Sequence, residues 1–295
     1  MRDALGREIV LARAPRTIVS LVPSDTYSLV RLGAADRIVG RTKYCVEPAS
    51  IIERIRTVGG TKDADVAAVI EMSPDLVIAN QEENSRRDLE RLAQAGLAVY
   101  VSFPKTVSEG LAHLARLARL LDVASEPAVK ELLSSHYETL REAASSSRER
   151  RVRTFFPIWL DPLMTIHRDT FISDMIELAG GTNVFADRER RYPLAADLGQ
   201  GAPLTGERVR DRDVRYPRVT WDEVVRRAPE LVLLPDEPYA FTSADAEKFR
   251  ALDIPASQSG AIRRVDGKDF SWYGAKSLEA IPRARRLVAL DRAIE

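Results

Sequence analysis

One cysteine, Cys45, is all that the 295-residue chain has. An internal disulfide is therefore excluded, and the redox compartment stays open. Histidine is almost as scarce, at three residues, which leaves few bases for catalysis, and no short C-x-x-C or H-x-x-x-H spacing marks a metal site. The G-x-S-x-G, Walker and G-x-G-x-x-G patterns are missing too, so the common nucleophile, triphosphate and dinucleotide signatures give no enzyme class. No apolar run approaches the roughly 18 residues of a membrane-spanning helix. Nor is there an excess of either charge: Lys plus Arg and Asp plus Glu are 44 each, so no net field favours nucleic acid or an anionic membrane. The first 16 residues lack an apolar core followed by a small-residue cleavage site, which reads as a cytoplasmic chain; removal of a leader gives a periplasmic or extracytoplasmic alternative.

What the chain does have is length, apolar content and alternation. At 295 residues and 45% hydrophobic it exceeds the size at which one core usually stops growing, so two domains are expected. Short apolar runs at 18–22, 37–40, 76–79 and 98–102 alternate with helical patterns. Such runs separated by crossover helices predict a parallel sheet covered on both faces. Val129, Leu132, Leu133, His136, Leu140 and Ala143 then recur at three- and four-residue steps, predicting one long helix over 125–147. About 20 residues at roughly 1.5 Å each make a rod of about 30 Å, long enough to join two lobes.

Beyond that helix the pattern restarts, with strands expected at 152–157 and 165–167 and a helix at 171–178. Residues 221–237 repeat 66–82 in type and order: a helix, a proline, an acid, a four-residue apolar strand and a loop carrying carboxylates. Two equivalent lobes follow. The expected division is an N-terminal α/β lobe over 1–124, a connecting helix over 125–150 and a C-terminal α/β lobe over 151–295. Residues 187–218 hold eight Arg and six Asp or Glu and read either as a solvated surface loop or as a flap.

The run Arg16-Thr17-Ile18-Val19-Ser20-Leu21-Val22-Pro23-Ser24, the turn Val58-Gly59-Gly60-Thr61, the strand Ser73-Pro74-Asp75-Leu76-Val77-Ile78-Ala79, Gly180-Gly181-Thr182-Asn183-Val184-Phe185 and the late Ser271-Trp272-Tyr273-Gly274 resemble the substrate-binding proteins of cobalamin and iron-siderophore importers, the helical-backbone metal receptor type. The resemblance spans nearly the whole chain in family order. It implies two Rossmann-like α/β lobes joined by one rigid helix, with little hinge motion and a metal chelate held between the lobes. It does not identify the ligand. Members that deliver cargo to a permease place a glutamate on each lobe; here the corresponding positions are Ala67 and Asp222. One docking acid is thus absent, with Asp65 and Glu223 close by as substitutes, and a cytosolic non-transport relative is the alternative.

In open parallel sheets ligands bind at loops on the carboxyl ends of the strands. The candidate ligand-binding residues on those loops are Ser24, Tyr44, Cys45, Thr61, Lys62, Asn80, Glu82 and Phe103 in the first lobe. In the second they are Trp159, Met164, His167, Arg168, Asp236, Glu237, Tyr239, Trp272 and Tyr273. Aromatics offer flat surfaces to a macrocycle, and Arg or Lys can pair with its anionic groups. The sequence therefore points to a monomeric protein that binds a small metal chelate and has no intrinsic cofactor. Cobalamin or another corrinoid ranks first, with a ferric siderophore or free metal as alternatives. Cys45 and His167 are the candidates for direct metal ligation. A Cys45–His167 nucleophile and base would make an enzyme, but no local signature supports it.

Overall fold

A computed structural model describes residues 1–145 and 150–289 of the chain. Two compact units emerge: Met1–Thr139 with Trp272–Leu278, and Leu140–Ser271 with the residues from Glu279 onward.

The first unit is built on a five-stranded sheet, β1 (Ile18–Ser20), β2 (Ile38–Arg41), β3 (Arg56–Thr57), β4 (Leu76–Asn80) and β5 (Val99–Ser102), in the order β3-β2-β1-β4-β5. Every pairing is parallel. β1, β4 and β5 are buried at every position, which is why they read as continuous apolar runs rather than alternations. Val19, Val77, Val99 and Val101 from the strands and Leu21 just after β1 meet Val66, Val69, Leu89 and Leu92 from the helices in one core.

The second unit has a four-stranded parallel sheet of β6 (Val152–Phe155), β9 (Gly181–Asn183), β10 (Leu231–Pro235) and β11 (Ile262–Val265), ordered β11-β10-β6-β9. A separate antiparallel hairpin, β7 (Trp159–Leu160) and β8 (Leu163–Met164), pairs Trp159 with Met164. The core gathers Phe155, Phe185, Val232, Leu234, Phe241 and Phe249. The expected α/β architecture with parallel sheets is therefore present in both units.

Three differences from the sequence reading have physical reasons. The strand expected at 165–167 joins no sheet: these residues are buried, and the Thr165 and His167 amides donate to the Pro217 and Arg215 carbonyls of the basic loop instead. The helix expected to follow Thr26 begins at Pro23, which takes a first-turn position where its missing N–H costs nothing. The long helix spans Pro127–Ser145; Ser146 and Ser147 of the expected element lie outside the described residues, as do 148, 149 and 290–295 of the expected domains. Its residues fall to the first unit up to Thr139 and to the second from Leu140, so the division falls inside the helix.

The internal repeat is visible at atomic detail. Asp65 and Thr220 cap the helices Val66–Met72 and Trp221–Arg227, each accepting a backbone N–H. Both helices end in a non-glycine residue of left-handed conformation, Ser73 (φ 44°) and Ala228 (φ 43°). The acid after the next proline then ties down the neighbouring strand. Asp75 accepts from the Arg16 and Thr17 amides before β1, and Glu230 accepts from the Arg153 amide in β6.

Candidate functional site

The carboxyl edge of the first unit carries a buried polar network beside a few exposed side chains. Asp25 is fully buried in the first helix, with His113 Nε2 2.5 Å from Oδ1 and the Tyr273 hydroxyl donating to Oδ2 at 2.9 Å. Ser102 Oγ lies 2.9 Å from the Tyr273 hydroxyl, and Asn80 Nδ2 donates to it at 3.2 Å. Burial, reinforced by the Asp25 and Glu83 charges, pushes the Tyr273 hydroxyl well above its ordinary pKa, so it stays protonated and remains a donor. Asn80 Oδ1 in turn accepts from the Glu82 and Glu83 amides, shaping the loop after β4. The sequence reading put Asn80, Tyr273 and Trp272 among the ligand contacts. Here they are 3–5% exposed, with Trp272 edge-on to Tyr27 at 6.4 Å between centroids. The Asn80 amide and Tyr273 hydroxyl are hydrogen-bonded, and the Trp272 ring is packed, within the unit.

Cys45 is likewise enclosed. Its sulfur accepts from Thr26 Oγ1 at 3.1 Å and lies 3.2 Å from Thr42 Oγ1. Burial raises its pKa, outweighing those hydroxyls, so the thiol rather than the thiolate is present at neutral pH. His167, in the second unit, is 5% exposed and its Nδ1 accepts the Asp169 amide. Among the described residues no group of three or more His, Cys, Asp or Glu gathers as a metal site. Cys45 and His167, the two residues expected to ligate a metal directly, thus lie in different units, and each has a hydrogen-bond partner within its own unit. Ser24 is buried as well.

The surface of that edge is left to Tyr44, 52% exposed under the Lys43 ammonium, and to Phe103 beside Lys105. Thr61 and Lys62 hold the turn to the β4 loop, through Asn84 Nδ2 to the Thr61 carbonyl and Lys62 Nζ to the Glu82 carbonyl.

In the second unit the β7–β8 hairpin holds Trp159 out, 43% exposed, with Nε1 donating to the Asp161 carbonyl. Tyr239, from the loop after β10, meets it edge-to-face at 5.4 Å, and Phe241 backs Tyr239 at 4.8 Å. β6 and β10 are adjacent strands, so their two loops build one aromatic shelf, with Met164 directly opposite Trp159. Asp236 and Glu237 face a different task. Asp236 Oδ1 accepts the Gly267 amide and Glu237 Oε1 the Ser271 hydroxyl, and a Cβ on Gly267 would stand 2.9 Å from the Glu237 carbonyl oxygen. These carboxylates fix the loop after β11. Arg168 is exposed and donates through Nε to the Ala186 carbonyl.

The periplasmic binding protein family model matches residues 18–254. The chain belongs to that family. Among relatives of this periplasmic binding protein, the vitamin B12-binding protein of Yersinia pseudotuberculosis serotype O:3 is 28% identical over 94% of this chain and 86% of its own. The periplasmic vitamin B12 binding protein of Vibrio cholerae superposes with a TM-score of 0.73 at 20% identity, covering 95% of this chain and 99% of that one. A periplasmic heme-binding protein from Roseiflexus sp. RS-1 gives 0.74 at 16% identity, over 92% and 97%. The names given to the two solved structures place those proteins in the periplasm, the compartment that the sequence reading gives as the alternative to the cytoplasm. Members of the family are binding proteins rather than enzymes, and no helix among the described residues is long and apolar enough to cross a membrane.

The residues expected to meet a permease divide in the same way. Asp65 is occupied as a helix cap, accepting the Ala68 amide at 3.0 Å. Glu223 takes the guanidinium of Arg188 at 3.2 Å and that of Arg227 at 3.5 Å. Asp222, in the first turn of its helix, is exposed. Asp25, His113 and Ser102 were not among the sequence candidates; the one local sign was a carboxylate at the start of a helix, in Pro23-Ser24-Asp25-Thr26.

Proposed function

We propose that this periplasmic binding protein takes a corrinoid, cobalamin or a precursor such as cobinamide, as its cargo and passes it to an ABC-type permease. The observation that carries the reading is Trp159. It is 43% exposed, its indole N–H is already satisfied and the Tyr239 ring stands edge-on behind it, so what it offers outward is an apolar aromatic face. A large, partly apolar ring system suits that shelf. Relatives named for vitamin B12 match over 94% of the chain, which supports the same choice. At the permease, Asp222 is the exposed acid of the second unit, and Ala67 stands where the first unit would offer its own.

Titration of the full chain with cyanocobalamin and with cobinamide, followed by visible absorbance and calorimetry, tests the cargo. Saturable binding at micromolar or tighter is expected, weakened about tenfold or more, about 1.4 kcal/mol, in Trp159→Ala. Binding of a ferric siderophore in place of both corrinoids would overturn the assignment.

A further inference from the structure

The basic segment 187–218 is neither loose nor fully neutralised. Arg188 is 6% exposed and pairs with the buried Asp197 at 3.0 Å and with Glu223. Arg227 holds Asp187 at 2.5 Å, and Arg215 holds Asp213 at 2.6 Å. These pairs occupy Asp187, Asp197 and Asp213 of the segment together with Glu223, and Asp187, Arg188, Glu223 and Arg227 among them line an open cavity of about 390 Å³, within the roughly 300–1,000 Å³ of small-molecule sites. Leu204, Val209, Val214 and Tyr192 form one part of its wall, and Arg190 and Arg191 another.

Arg190 is the exception among these pairings. Its guanidinium lies over the Tyr192 ring, 4.4 Å from the centroid, while its Nε is buried without a hydrogen-bond partner among the described residues. Arg218 Nε is in the same condition, and burial together with the nearby Arg190 charge lowers the Arg218 pKa. Arg212 stands 4.8 Å from the centroid of the same tyrosine. Asp213 is near enough to feel the Arg190 charge, but the buried Nε atoms of Arg190 and Arg218 have no acceptor among the described residues, and buried donors of this kind call for one. The remaining acid of the wall, Glu189, is exposed and is outnumbered by Arg190 and Arg191.

We propose that this cavity is a binding site for a small organic oxyanion, its carboxylate or phosphate seated on the Arg190 guanidinium and its apolar body against Leu204, Val209 and Val214. Arg presents paired N–H donors that match either oxyanion, and the aliphatic wall selects for a ligand with more than charge. The site rests on the second unit alone and stands whether or not the cargo is a corrinoid.

Calorimetric titration of the full chain at low ionic strength with phenyl phosphate, benzoate and inorganic phosphate tests it. Saturable binding of phenyl phosphate or benzoate is expected, and which of them binds tells the anionic group. Inorganic phosphate should bind about tenfold more weakly than the better of the two, because it leaves the apolar wall unused. Arg190→Ala should weaken binding at least about tenfold, Arg190→Lys should retain part of it, and Glu189→Gln should tighten it, with thermal melts confirming that each variant folds. No saturable binding of either organic anion, equal affinity for inorganic phosphate, or unchanged affinity in Arg190→Ala overturns the proposal.

Discussion

Asp75 shows how one carboxylate can hold a strand in register. It accepts the Arg16 and Thr17 amides at 2.8 and 3.0 Å, and those backbone bonds, Arg16 first, hold its pKa below the ordinary carboxylate value. Because the folded pKa lies below the unfolded one, its stabilisation is fully present above the unfolded value of about 3.9 and is lost as pH falls through the folded value. Asp75→Asn should therefore unfold at lower urea than the parent chain at pH 7, and the gap should close as pH drops below about 4. A gap that persists unchanged at pH 3 would show that the charge is not what matters. The sequence displayed Asp75 as part of a repeated pattern without telling its role. The Asp25 network was hidden more deeply: His113 is 88 positions from Asp25 and Tyr273 is 248, and no local period connects residues that meet only through the sheet. Trp159 and Trp272 were indistinguishable as letters. One is 43% exposed and the other 5%, because exposure of an aromatic is decided by what packs over it.

At the scale of the element, β-branched and apolar runs made β1, β4, β5 and β10 plain, since a strand buried on both faces has no polar positions to blur it. β11 was missed, since Arg263 and Arg264 interrupt its run and it forms a sheet edge, where polar side chains are tolerated. The repeated helix-proline-acid corner is the clearest case of local rules carrying through to packing. Both copies end their helix with a left-handed residue that has a Cβ, at a position where glycine is ordinarily preferred. Ala228, at φ 43°, carries a conformational cost of about 1 kcal/mol that glycine would relieve. Ala228→Gly should raise the unfolding midpoint by about 2–4 °C for a domain of this size. A lowered midpoint in a thermal melt would mean that the alanine methyl packs more than it strains.

For the whole molecule, the sequence predicted two α/β units and a helix between them, each half continuous in the chain. The structure departs from this at Trp272–Leu278, which belongs with the first unit although it follows the last strand of the second. That return is fixed by three polar contacts: Tyr273 is the donor to Asp25, Lys276 pairs with Glu47 at 2.7 Å, and the Ala275 amide donates to Ser28 Oγ. Hence a change near the carboxyl end of the chain should be felt by strands near its beginning. Tyr273→Ala removes an aromatic ring from a buried site and leaves Asp25 short of a donor, a loss of about 3–5 kcal/mol. Hydrogen exchange should then accelerate in Ile18–Ser20 and Val99–Ser102 of the first unit, over 170 residues away in the chain, while Leu231–Pro235 of the second, much nearer in sequence, keeps its protection. If Leu231–Pro235 opened first, Trp272–Leu278 would be acting as part of the second unit, and Asp25 would owe its stability to the first unit's helices alone.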